Sequence, residues 1–105
     1  MKKTIYLSGK MSGEVDLNFP LFNRLTAELR AIGHSVINPV EINSDPSAQW
    51  LACIKADIDH VAQCQMIAMI PGWEESYGAR IERLVAEKLG LEVVNVHDLL
   101  QSEPA

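Results

Sequence analysis

The chain has 105 residues, 48% of them hydrophobic, which supplies apolar material for one core and too little length for a second. Fourteen acidic against nine basic residues leave a formal charge of −5, a balance that excludes general attraction to nucleic-acid polymers or anionic membranes. Any phosphate must be held locally.

Met1-Lys2-Lys3-Thr4-Ile5-Tyr6 begins with charge, but its apolar stretch breaks at Ser8, Gly9 and Lys10, short of the roughly 7–15 residues of a secretory signal core. No run approaches the roughly 18 apolar residues of a membrane span, so a cytoplasmic chain is expected. Thr4-Ile5-Tyr6-Leu7 reads as a first strand, ending in the small-residue loop Ser8-Gly9-Lys10-Met11-Ser12-Gly13. Asn18 and Pro20 mark a helix start, Phe19, Phe22, Leu25 and Leu29 keep helical spacing, and Gly33 stops it.

His34 to Asn38 reads as a second strand closed by Pro39, and Glu41 to Ser47 as a loop. A helix is expected from Ser47 or Ala48 to about Gln63, with Trp50, Ile54, Ile58 and Val61 on its apolar stripe and Asp57 beside it. Met66 to Ile70 is the third strand, followed by the breaker Pro71-Gly72. Ser76 caps a third helix reaching Leu89, with Ile81, Leu84, Val85 and Leu89 on its core stripe and Glu82 at the margin. Leu91 to Val96 forms a fourth strand, and His97 to Gln101 adds one helical turn.

Strands alternating with helices give an α/β domain over residues 1–105. The expected architecture is a three-layer sandwich, Rossmann- or flavodoxin-like, on a parallel sheet of four or five strands in the order 2-1-3-4. In such a sheet the loops after strands one and three open on the same edge. That edge gathers Tyr6, Ser8, Gly9 and Lys10 near Ser76, Gly78 and Glu82, with Asp57 on the helix leading into the third strand.

Each of these residues has a plainer reading. Glu82 and Asp57 suit solvated helix charges as well as buried acids, and Tyr6 suits a core aromatic. The Ser8 to Gly13 loop has neither Walker nor GxGxxG spacing, and reads as an ordinary turn or as a phosphate cradle built from amides, Ser8 and Lys10. Trp50 and Trp73 suit core or interface anchors, although Trp73 sits in a loop at the proposed cleft where it could stack on a base. Cys53 and Cys64 have no CxxC or His/Cys cluster nearby and read as buried or partly buried thiols, so no metal is expected. His34, His60 and His97 show no ligand spacing.

From Tyr6-Leu7-Ser8-Gly9 through Asn38-Pro39 and the Asp57 helix to Pro71-Gly72-Trp73-Glu74 and Ser76-Tyr77-Gly78-Ala79-Arg80-Ile81-Glu82, the chain resembles the nucleoside 2-deoxyribosyltransferase-like superfamily, in particular its small bacterial and phage branch. The resemblance is strongest where a small or acidic residue is followed by Gly two on and the nucleophilic Glu six on. It implies Glu82 as nucleophile, Tyr6 as the tyrosine that positions it, and Asp57 as the acid near the leaving base. Ser76 stands where related deoxynucleoside-monophosphate hydrolases bind a 5′-phosphate with serine. Ser8, Gly9, Lys10, Met11, Trp73, Ser76 and Gly78 are accordingly the expected substrate-binding residues.

The implied reaction is cleavage or transfer at the N-glycosidic bond of a 2′-deoxynucleoside or its 5′-monophosphate, through a glycosyl ester on Glu82, without metal or cofactor. Glu82 would be ionised against Tyr6, with Asp57 holding a proton. The resemblance also implies a homodimer or larger homo-oligomer. Gln65 departs from relatives that often carry Asp there: a role at the strand start would change little, a role in ordering the cleft would put activity in doubt. Two alternatives remain: a non-catalytic nucleotide-binding or sensing module, and an interaction protein with Trp50, Trp73 and Met11 on an oligomer surface.

Overall fold

The computed structural model describes residues 2–43 and 49–102. Strands β1 (Thr4–Ser8), β2 (Ser35–Ile37), β3 (Met66–Met69) and β4 (Glu92–Asn95) form one parallel sheet in the expected order β2-β1-β3-β4. β1 is central, with Thr4 opposite Ser35 on β2, and Ile5 to Ser8 opposite Met66 to Met69 on β3. The helices are α1 (Phe19–Ala31), α2 (Pro39–Ile42), α3 (Trp50–Val61), α4 (Tyr77–Lys88) and α5 (Val96–Ser102). Among the described residues the sheet has four strands, and no helix is long and apolar enough to cross a membrane.

Side chains alternate across a strand, and β1 uses both faces. Ile5 and Leu7 join Phe22, Leu25 and Leu29 of α1 and Val96 and Leu99 of α5 in one core cluster. Tyr6 faces the other way, into a cluster with Val61 of α3 and Ala79 and Ala86 of α4. β3 divides likewise, with Met66 and Ala68 in the first cluster and Ile67 and Met69 in the second. The sheet is therefore the middle of three layers.

Two expectations change. The loop expected from Glu41 begins instead as α2, because Pro39 opens a helix at its first position and Asn38 Oδ1 accepts from the Val40 amide at 3.0 Å. The expected start of the next helix, at Ser47 or Ala48, lies outside the described residues; α3 is described from Trp50. Strand ends differ from expectation by one residue, the usual fraying of such boundaries.

The second change concerns which helix faces are buried. On α4 the inner residues are Ala79, Glu82 and Ala86, while Leu84 and Leu89 are exposed. On α3 they are Ile54, Asp57 and Val61, while Trp50 is exposed. Small residues explain the turn of α4: a Cβ on Gly78 would stand 3.0 Å from Ile54 Cδ1, so the two helices approach where α4 has least bulk. Each acid sits mid-stripe, in the pattern i, i+3, i+7, rather than at a margin.

Asn38 ties α2 and α1 to the end of β2, capping Val40 and donating from Nδ2 to Asn23 Oδ1 at 3.0 Å while itself buried. Asn38→Ala is expected to lower the unfolding free energy by about 1–3 kcal/mol. Urea denaturation measures this, and an unchanged midpoint would show that the cap contributes nothing.

Candidate active site

Glu82 projects from the inner face of α4 and is 5% exposed. Tyr6 Oη donates to its Oε2 at 2.9 Å and Ser8 Oγ donates to its Oε1 at 2.7 Å. Tyr6 and Ser8 are two residues apart on β1, so both point to the α3/α4 side of the sheet. Asp57 arrives from α3, 7% exposed, with Asn43 Nδ2 at 3.5 Å from its Oδ1.

Burial pushes the Glu82 carboxyl up to about 8, opposed by the Ser8 hydrogen bond, reinforced by the charge and hydrogen bond of Asp57, and opposed again by Tyr6. Burial also raises Asp57, against hydrogen bonds with Glu82 and Tyr6, the nearby His60 and Asn43. The Tyr6 phenol is driven well above its ordinary value by burial and by the Glu82 charge, so it remains a donor. Both carboxyls are thus pushed toward their protonated forms, and the pair titrates as one unit.

The pair lies in a cleft of about 190 Å³ at the carboxyl ends of β1 and β3, where the strand order reverses. Gly9, Met11 and Ser12 border it from the loop after β1, and Ser76 and Gly78 from the start of α4. Gly9 is dictated by space, since a Cβ there would stand 2.8 Å from Ile70 Cβ. Ser76 caps α4, its Oγ accepting from the Ala79 amide at 3.1 Å.

Six residues anticipated from sequence therefore border the cleft: Gly9, Met11, Asp57, Ser76, Gly78 and Glu82. Tyr6 and Ser8 lie beneath it on Glu82. The phosphate reading of Ser8 is corrected, because its buried hydroxyl points inward to a carboxylate. Lys10 and Trp73 do not border the cleft. The Lys10 ammonium lies 3.5 Å from Glu75, and the Trp73 ring packs against the second core cluster beneath the Arg83 guanidinium, 4.7 Å from the ring centroid.

Trp50, Cys53 and Asn43 border the cleft without having been anticipated there. Trp50 was readable, since it lies seven residues before Asp57, two turns along the same helix face. Asn43 gave no comparable signal. Cys64, by contrast, is a buried thiol raised to about 11 by burial, as expected.

Gln65 stands at the opposite, amino-terminal edge of the strands. Its Oε1 accepts from the Thr4 amide at 3.1 Å, and its own amide donates to Thr4 O at 2.9 Å. It is a strand-start residue. Among the described residues no group of three or more His, Cys, Asp or Glu is placed to hold a metal ion.

Fold and site together define a small α/β domain with a buried carboxyl pair at the switch point of a 2-1-3-4 sheet. Over residues 3–95 the chain matches, and belongs to, the family described as domain of unknown function DUF4406. No curated protein matches it. Among solved structures it is similar to a 2-deoxyribosyltransferase from the psychrotolerant bacterium Bacillus psychrosaccharolyticus, with a TM-score of 0.65 and 22% identity over 87% of this chain and 70% of that one. It is also similar to the Clostridium botulinum CMP N-glycosidase, with a TM-score of 0.59 and 19% identity over 96% of this chain and 82% of the other. At such identities the likeness is one of fold.

The raised Glu82 carboxyl has a stability consequence. Between its ordinary 4.5 and about 8, the folded chain binds a proton that the unfolded chain does not, so stability falls as pH rises through that window. Glu82→Gln removes this dependence. The variant is expected to melt several degrees above the parent at pH 8, since about 1 kcal/mol moves such a domain by about 4–8 °C, with the gap closing toward pH 5. Equal slopes of melting temperature against pH would contradict the assignment.

Proposed function

We propose that this protein breaks the N-glycosidic bond of a 2′-deoxynucleoside 5′-monophosphate, or of the free deoxynucleoside, and passes the sugar to water or to a second base through an ester on Glu82. The observation that carries this reading is the Glu82 carboxyl fixed by two hydroxyls on the cleft floor, beside a second carboxyl able to exchange a proton with it. The two fold neighbours, a 2-deoxyribosyltransferase and a CMP N-glycosidase by name, act at this kind of bond and add support.

The pair supplies the chemistry when it holds one proton. With that proton on Asp57, a Glu82 oxygen attacks C1′, the bond from C1′ to the base breaks, and the electron pair leaves with the base as Asp57 protonates it. In the second step water or another base gives its proton to Asp57 and attacks C1′. The ester bond breaks and its electron pair returns to Glu82. Attack thus needs the proton on Asp57 and the charge on Glu82, a distribution that the hydrogen bond between the two acids allows.

Ser76 and the first turn of α4 favour the monophosphate. Amides at a helix start attract anions, and Ser76 and Gly78 border the cleft at that turn. Lys10, paired with Glu75, is not needed for this reading. Gln65 bonds Thr4 at the strand start, away from the cleft, so its departure does not weigh against the enzyme reading.

The deciding experiment is chromatography of deoxynucleosides and their 5′-monophosphates incubated with the protein, with and without a competing base. Base release is expected, and exchange with the added base would mark a transferase. Glu82→Ala should abolish both, while Tyr6→Phe slows them by about tenfold. Nucleotide binding without turnover by the folded parent would replace the enzyme reading with the binding module.

The pH profile supplies a second test. The singly protonated pair predicts a kcat/KM that declines above about pH 8. Asp57→Asn is expected to lose about 10²–10⁴-fold in rate and to lose the alkaline decline as well. An alkaline decline persisting in that variant would assign the proton elsewhere.

A further inference from the structure

Ser8 is completely buried, and its backbone is fixed on the β3 side, where it pairs with Met69 and its carbonyl accepts from the Ile70 amide at 2.8 Å. The next residue, Gly9, has no room for a side chain against Ile70. The hydroxyl is thus held by rigid strand rather than by a loop, 2.7 Å from Glu82 Oε1. Tyr6, from the same strand face, occupies Oε2. Each carboxyl oxygen has its own hydroxyl donor, so rotation of the carboxyl plane would break both bonds.

We infer that Ser8 is a positioning residue, the second half of a two-hydroxyl clamp that fixes the plane of the Glu82 carboxyl and stabilises its anionic form. The kinetic part of this inference rests on the glycosidic reading above. In the ester, one Glu82 oxygen is bonded to C1′ and the other is a carbonyl. As the acceptor attacks C1′, the C1′–oxygen bond breaks and its electron pair returns to Glu82. The charge then spreads over two oxygens, each already facing a donor, and hydrogen bonds to an ionised acceptor are the strong ones. Preorganised donors aimed at developing charge need no rearrangement at that moment.

The groups facing Glu82 define what a titration would read. They are Tyr6 and Ser8 from β1 and Asp57 from α3, with His60 and Asn43 acting on Asp57 from behind. The neighbouring Arg83 on α4 directs its guanidinium to the Trp73 ring and to Glu87. Ser8 opposes the burial that keeps Glu82 protonated, so its removal should raise the carboxyl further.

The test compares Ser8→Ala and Ser8→Cys with the parent, following the Glu82 side-chain carboxyl carbon by NMR against pH and base release from a deoxynucleoside monophosphate. In Ser8→Ala the Glu82 midpoint should move upward and kcat fall about 10–100-fold with KM unchanged. Ser8→Cys, with its weaker donor, should fall between and keeps the test available if the alanine variant does not fold. An unmoved Glu82 midpoint would overturn the clamp, as would a raised KM for the monophosphate with kcat intact. The titration needs no substrate, so a shifted midpoint in a parent protein that releases no base would uphold the clamp and sink only the glycosidic reading.

Discussion

The structure depends on a division of side chains along β1. A central strand buried on both faces normally carries apolar residues throughout, and Ile5 and Leu7 obey that rule on the side of α1 and α5. On the other side the strand presents Tyr6 and Ser8, two hydroxyls in a layer that would otherwise be dry. Buried polar groups need partners, and these find theirs in a carboxyl supplied by α4. The acid and the hydroxyls justify one another's burial, and neither would be tolerated alone at that depth.

The same reciprocity accounts for how α3 and α4 sit. Their inner stripes each place one acid between two small or aliphatic residues, Ile54 and Val61 around Asp57, Ala79 and Ala86 around Glu82. Bulky side chains at 79 or 86 would hold α4 away from the sheet and lengthen the reach from Tyr6 and Ser8 to Glu82. Gly78 allows the start of α4 to close against Ile54. Close packing and the acid pair are one arrangement seen from two sides.

The four strands, the three long helices, the parallel sheet and its 2-1-3-4 arrangement were readable because alternating apolar runs, Gly33 and the Ser76 cap each carry a local physical signal. The convergence of Tyr6, Asp57 and Glu82 was readable from topology joined to the family resemblance. The buried face of α4 was not, because a stripe assigned by hydrophobicity favours Leu84 and Leu89 over Ala79 and Ala86. Small residues let α4 turn that face inward, and Glu82 on the same face meets the two hydroxyls of β1. Lys10 and Trp73 misled for a related reason: both are near the cleft in sequence, yet Glu75 and Arg83 give them partners outside it. Ser8 was placed at the right edge and given the wrong direction, since a residue at a strand end can face either the loop or the layer below.

The sheet also separates the molecule into halves with different tolerances. The α1/α5 layer gathers aliphatic and aromatic side chains around Ile5 and Leu7 and contributes none of the hydroxyl and carboxyl bonds to Glu82. Sequence can drift there under the loose requirement of volume and hydrophobicity. The α3/α4 layer answers to proton occupancy and to donor geometry as well as to volume. Descendants of this chain should therefore diverge asymmetrically, fast beneath one face of the sheet and slowly beneath the other.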